Sequence, residues 1–87
     1  MMDKIHLIAA SAGGERFERM VSSVILPSGD GLLGILADHA PMLCAVKEGT
    51  LVCRGEEGSA RIRVGDGIAH VANNELRLLL SRLKIES

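Results

Sequence analysis

Residues 60–80 read ARIRVGDGIAHVANNELRLLL. Three short β-prone runs, Ala60 to Val64, Ile68 to Ala72 and Glu75 to Leu80, are separated by Gly65-Asp66-Gly67 and Asn73-Asn74. Those separators are turn formers, because glycine and asparagine tolerate backbone angles that other residues avoid. Leu76, Leu78 and Leu80 alternate along the last run, and strand side chains point to opposite faces with period two. The same segment also fits helical spacing through Leu76, Leu79, Leu80 and Leu83, with Asn74 placed as an N-cap. The strand reading is the one consistent with its neighbours, and it predicts a leucine-rich edge strand from Glu75 to about Leu80.

The pattern continues toward the N-terminus. Ile5, Leu7 and Ala9 share one face of a strand within Lys4 to Ala10. Ser11 to Gly14 is a turn. Phe17 to Pro27 is a longer β-prone segment that bends near Ser22 and Ser23 and ends at Pro27, which has no amide hydrogen for a ladder. Ser28-Gly29-Asp30-Gly31 is a strong turn signal. Leu32 to Leu36 reads as a short strand buried on both faces. A polar connector, Ala37 to Pro41, follows it. Met42 to Val46 and Leu51 to Arg54 lie either side of Lys47-Glu48-Gly49-Thr50 and read as a hairpin. Cys44 and Cys53 would then face each other across it. Turns at roughly 8–12-residue intervals point to an all-β sandwich or barrel. The whole of residues 1–87 reads as one domain.

Composition narrows the function. Hydrophobic residues make up 47% of the chain, too many for a disordered segment, yet Phe17 is its only aromatic residue. The core must be built from aliphatic side chains. Ten basic and eleven acidic residues leave a net charge of −1. That balance, without aromatics to stack on bases, argues against nucleic acid as a partner. Arg54, Arg61 and Arg63, with Glu56 and Glu57 among them, read as a solvated hairpin face. The short apolar stretch before Ala10 is interrupted by His6 and ends at Ser11, which falls short of a signal segment. No run approaches the roughly 20 apolar residues of a membrane-spanning helix. The expectation is an intracellular protein with no insertion into the membrane. Two cysteines are too few for a disulfide framework and suit small core residues.

Catalytic and ligand motifs are weak. Gly29-Asp30-Gly31-Leu32-Leu33-Gly34 matches the dinucleotide pattern, but Pro41 leaves no room for the helix whose N-terminus would face a pyrophosphate. His39, Cys44 and Cys53 match no zinc-ligand spacing. Asp38, His39 and Cys44 make a poor thiol triad, since adjacent side chains of extended chain diverge. His39 reads instead as a connector residue bonded to local backbone. No catalytic group, metal or cofactor is expected. Surface apolar area, and with it partner binding, is the remaining chemistry.

The order of motifs between residues 21 and 53 is specific. Val21 to Pro27 is followed by Gly29-Asp30-Gly31-Leu32-Leu33-Gly34-Ile35-Leu36, then Asp38-His39-Ala40-Pro41-Met42-Leu43, then Val46-Lys47-Glu48-Gly49-Thr50-Leu51. This succession resembles the epsilon subunit of F-type ATP synthases. The likeness extends through Val64-Gly65-Asp66-Gly67-Ile68-Ala69-His70-Val71, so it runs from about Lys4 to Leu80. It implies a flattened antiparallel β-sandwich of about ten short strands. It also implies a non-catalytic rotor subunit that binds the gamma subunit and rests on the c-ring, peripheral to the membrane on its cytoplasmic face.

The resemblance suggests that Asp30, Leu32, Asp38, His39 and Pro41 form the c-ring contact, and that an apolar sheet face elsewhere meets gamma. Ala37-Asp38 replaces the family's Pro-Gly, Leu32 stands where many members carry an acid, and Leu78 to Leu83 departs from the usual end of the domain. A free-standing binding module derived from this family is the alternative, separable by co-purification with gamma and the c-ring. Only seven residues follow Leu80, about 10 Å as a helix, so the helical hairpin that carries nucleotide binding and inhibition in the family is not expected within them. Titration with MgATP should accordingly give no saturable heat. Far-UV circular dichroism should show less than about a quarter helix, against about a third in ordinary globular domains.

Overall fold

The computed structural model describes residues 4–86; Met1 to Asp3, at the start of the short N-terminal apolar stretch, and Ser87 lie outside them. The described chain is all-β. Ten strands follow in order: β1 (Ile5–Ser11), β2 (Arg16–Val21), β3 (Ser23–Ser28), β4 (Gly31–Leu36), β5 (Met42–Val46), β6 (Gly49–Gly55), β7 (Gly58–Val64), β8 (Gly67–Ala72), β9 (Glu75–Leu80) and β10 (Leu83–Ile85). They form one hydrogen-bonded path, β10-β7-β6-β3-β5-β8-β9-β1-β2, with β4 added on β3. The path folds where β3 meets β5, through the single pair Ser28↔Val46. One layer is thus β10-β7-β6-β3-β4 and the other β5-β8-β9-β1-β2. The molecule measures 35 × 26 × 21 Å, the flattened sandwich that the resemblance implied.

Period-two patterning decides what enters the core. Ala60, Ile62 and Val64 of β7, Ala69 and Val71 of β8, and Leu76, Leu78 and Leu80 of β9 are all buried. They join Ile5, Leu7, Val24, Leu26, Ile35 and Leu51 in one aliphatic cluster between the layers, with Phe17 at its margin. Each fully buried aliphatic side chain stabilises the fold by about 1.5–3 kcal/mol. The intervening residues face outward, so each layer presents an outer surface of its own.

Several expectations change. β9 is no edge strand: it lies between β8 and β1 and runs parallel to β1, with Leu7↔Leu76 and Ala9↔Leu78 paired. Only one of its faces is buried, that of Leu76, Leu78 and Leu80, while Arg77 and Leu79 are exposed on the other. The edges are β2 and β10 at the ends of the path and β4, which pairs only with β3. Leu32 and Leu36 stand 76% and 63% exposed, and Ile35 alone on it is buried. β5 and β6 form no hairpin, since β5 pairs with β8 and β6 with β3 and β7. The Lys47–Glu48 link crosses from one layer to the other. Cys44 therefore stands opposite Ala69, and Cys53 opposite Ala60 and Val24. Burial pushes both thiols above their ordinary pKa, so both stay protonated and act as small apolar residues. Pro27 lies inside β3 rather than ending it, and its carbonyl accepts the Lys47 amide at 3.0 Å. β10 was not read from spacing; it closes on β7 through Leu83↔Val64.

Two turns carry tight constraints. Asn73 and Asn74 have φ of 52° and 59°, the left-handed pair that a two-residue hairpin between β8 and β9 requires. In Gly65-Asp66-Gly67, the Gly65 amide donates to the Arg82 carbonyl at 3.0 Å, and the Ser81 amide to the Asp66 carbonyl at 2.8 Å. The Asp66 carboxylate accepts the Glu48 amide at 2.8 Å and so holds the interlayer crossing. A Cβ on Gly67 would collide with the Leu79 carbonyl oxygen, whereas one on Gly34 would meet nothing within 4 Å. Gly67→Ala should destabilise by about 1–3 kcal/mol, because backbone has to shift. Its melting temperature should fall by roughly 4–8 °C for each kcal/mol lost. Gly34→Ala should stay within about 0.5 kcal/mol of wild type in the same thermal melts.

Candidate functional site: an apolar outer sheet face

The exposed large hydrophobic residues are not scattered. Leu43, Ile68, Leu79 and Met20 lie on the outer face of the β5-β8-β9-β1-β2 layer. Strand register places Ala10 beside Leu79, Leu79 beside Ile68 and Ile68 beside Ala45, a row crossing four strands. Leu79 is 69% exposed, Ile68 53% and Leu43 68%. Ile8 lies one position along from this row on the same face and is buried outside the main core. With Ala10, Arg16, Ile68, His70, Arg77 and Leu79 it lines a shallow depression of about 290 Å³. The sequence reading foresaw uncovered apolar surface but not its location, because the parallel entry of β9 decides which leucines share a face.

A charged margin borders the row. His6 Nε2 lies 2.5 Å from Glu18 Oε2, and His6 Nδ1 lies 3.9 Å from Glu75 Oε2. The His6 hydrogen bond, followed by that of Arg16, holds the Glu18 carboxyl below the usual carboxylate range. Arg77 Nε donates to Glu75 at 2.8 Å. An apolar strip with a paired polar rim is the anatomy of a protein contact.

The five residues singled out from the sequence fall into two groups. Asp30 and Leu32 sit at the β3–β4 hairpin, where Ser28 Oγ donates to the Gly31 carbonyl at 2.8 Å. Asp38, His39 and Pro41 lie beyond the other end of β4, and six strand residues at about 3.3 Å each put roughly 20 Å between the groups. Asp38 takes a left-handed φ of 65°. Its amide donates to Asn74 Oδ1 at 2.5 Å, and Asn74 Nδ2 donates to Asp38 Oδ1 at 3.2 Å. The His39 Nδ1–H donates to the Ala40 carbonyl at 2.8 Å, the local backbone bond expected of it. Pro41 is exposed and leads directly into β5. The glycine pattern at residues 29–34 falls in the hairpin turn and β4, so no helix follows it. Among the described residues no group of three His, Cys, Asp or Glu side chains is placed to hold a metal. No helix among them is long and apolar enough to cross a membrane.

Comparison with known proteins places this architecture. Residues 4–84 match the family described as ATP synthase, Delta/Epsilon chain, beta-sandwich domain. The chain is 38% identical over 68 residues to the chloroplastic ATP synthase epsilon chain of Cyanidioschyzon merolae, covering 78% of this chain and 52% of that one. It is 38% identical over 71 residues to the ATP synthase epsilon chain of Microcystis aeruginosa, covering 82% and 51%. It therefore spans about half the length of these relatives. Among solved structures, a chain of the Euglena gracilis mitochondrial ATP synthase (OSCP/F1/c-ring) superposes with a TM-score of 0.85 at 20% identity, covering 94% of this chain and 53% of that one. A chain of the Tetrahymena thermophila mitochondrial ATP synthase central stalk and c-ring gives 0.74 at 17% identity, covering 94% and 66%. These two show the shared fold. The match across nearly the whole sequence makes this chain a member of the ATP synthase delta/epsilon family, as the β-sandwich domain found in epsilon chains.

Proposed function

We propose that the chain is a non-catalytic rotor subunit of an F-type ATP synthase, joining the gamma subunit to the c-ring. The observation that carries the reading is the apolar row Ala10–Leu79–Ile68–Ala45 exposed on a domain of this family. Burying such a row needs a partner surface of matching shape, and we assign it to gamma. The charged margin around His6, Glu18, Glu75 and Arg77 forms the polar rim of that contact.

The roughly 20 Å between the two loop groups argues against one flat contact with the c-ring. Asp30 and Leu32, at the β3–β4 hairpin, are assigned to the ring. Asp38, His39 and Pro41 lead into β5 and Leu43, and are assigned to the gamma side. Coupling then works by rigid transmission: a sandwich fixed to gamma on one face and to the ring at one end turns with both.

Reconstitution with gamma and the c-ring tests this assignment. Leu79→Asp should weaken association with gamma by about 1–3 kcal/mol or more, because a charge would be buried without a partner. His39→Asp should weaken the same association and leave ring binding unchanged. Leu32→Glu should alter ring binding only. All three positions are at least partly exposed, so the melting temperature of each variant should stay near wild type. Full retention of gamma by folded Leu79→Asp would remove this face from the interface. Tighter assembly of Leu32→Glu would contradict an apolar ring contact at that position.

A further inference from the structure

The other layer also presents an outer face, and it has a different chemistry. Arg61 and Arg63 project from β7, with Lys84 opposite Arg63 on β10 and Arg54 on β6. All four are exposed, and none makes an ion pair among the described residues. Acids of the neighbouring turns are engaged elsewhere: Glu56 with Lys4 at 2.6 Å, Glu57 with Arg19 at 3.7 Å and Glu48 with Arg82 at 3.0 Å. A chain of net charge −1 thus concentrates four unpaired cations on one face. Arg54, Arg61 and Arg63 lie on the solvated hairpin face expected from the sequence, the β6–β7 hairpin, but Glu56 and Glu57 at its tip pair with Lys4 and Arg19 instead.

The cations border an aliphatic strip. Arg61 stands opposite Val52, Val52 opposite Ile25, and Ile25 opposite Gly34. Ile25 and Leu36 are exposed. Gly34 has nothing within 4 Å of where its Cβ would be, so the strip has a gap between Leu32 and Leu36. Three strand spacings separate Arg61 from Gly34, about 14 Å, against the roughly 10–12 Å diameter of a helix.

We propose that this face docks an amphipathic α-helix of a partner protein, with an acidic flank over Arg61 and Arg63 and an aliphatic stripe over Val52 and Ile25. The spacings agree. Carboxylates four residues apart on a helix repeat every 6 Å or so, close to the roughly 6.6 Å between Arg61 and Arg63 on one strand face. An aliphatic side chain of the helix enters the gap over Gly34. A nucleic acid is disfavoured because the only aromatic residue, Phe17, is buried and gives bases nothing to stack on. A flat anionic membrane would engage the same cations, and binding of anionic vesicles separates it from a helix in the test below. This surface is separate from the apolar face assigned to gamma, so either assignment can fail without the other.

The test titrates the full chain with a synthetic amphipathic helix carrying a leucine stripe flanked by glutamates, followed by amide chemical shifts. Shifts should appear on β6, β7 and β3. Binding should weaken by about tenfold or more between roughly 50 and 300 mM salt, as screening of opposed charges requires. Charge reversal in an Arg61→Glu/Arg63→Glu variant should weaken it by about tenfold or more, while Leu79→Asp on the opposite face should leave it unchanged. A lysine-flanked version of the peptide should bind at least about tenfold more weakly. Equal binding of both peptides, or shifts confined to β8 and β9, would overturn the proposal. So would binding of phosphatidylglycerol vesicles, lost in the double variant, with no response to the acidic peptide, since the face would then be a membrane surface.

Discussion

The parallel pairing of β1 with β9 is the contact on which the rest of the molecule depends. It joins residues near the two ends of the chain, His6↔Glu75 through Ser11↔Leu80, and the Ala12 amide extends it by donating to the Leu80 carbonyl at 3.0 Å. Closing so long a loop has an entropic cost that rises slowly with length, and it delays folding more than it weakens the product. The compensation is local and apolar: Leu7, Ala9, Leu76 and Leu78 are all essentially buried. Until β9 enters between β8 and β1, that layer has no continuous sheet and no apolar row on its outer side.

The middle of the sheet path, where it folds from one layer to the other, is held by much less. β3 serves both layers, through Ser23, Val24 and Ile25 toward β6 and through Ser28 alone toward β5. Polar contacts reinforce this narrow fold line. The Pro27 carbonyl takes the Lys47 amide, and Asp66 takes the amide of Glu48. Gly65 and Gly67 allow the turn between β7 and β8 to lie directly against the end of β9. A thin aliphatic core with a single aromatic side chain, Phe17, depends on such close backbone contacts, because few bulky groups are available to fill space between separated layers.

The two outer faces divide the surface chemistry. One has an aliphatic row with its charges paired at the rim; the other has an aliphatic strip beside cations left unpaired. Charges paired within the chain contribute little to steering a partner, whereas unpaired like charges create a field that attracts the opposite sign. In the proposed role, fixed to one partner while meeting another, a subunit has reason to keep these chemistries apart. The open edge of β4, with Leu32 and Leu36 exposed, lies beside the second face and the hairpin end.

The alternation of Leu76, Leu78 and Leu80, the turns at Gly65–Gly67 and Asn73–Asn74, and the scarcity of aromatics were enough to establish an all-β domain with an aliphatic core. These are local properties, set by backbone angles and side-chain period. The ordered motifs from Val21 to Leu51 carried the family resemblance, and with it the number of strands. Which strand lies beside which was not legible. The period of two says that Leu79 faces away from Leu78, but not that β1 and β8 will flank it and bring Ala10 and Ile68 alongside. In the same way Asp30 and Asp38 are near neighbours in the chain, yet the intervening extended strand carries them to its opposite ends, roughly 20 Å apart. Cys44 and Cys53 looked like a facing pair because the link between them is short, but that link changes layers. Local sequence determined the strands, the turns and the inward faces; only tertiary pairing decided the neighbours of each outward residue, because a surface patch is assembled from residues that meet across strands rather than along the chain.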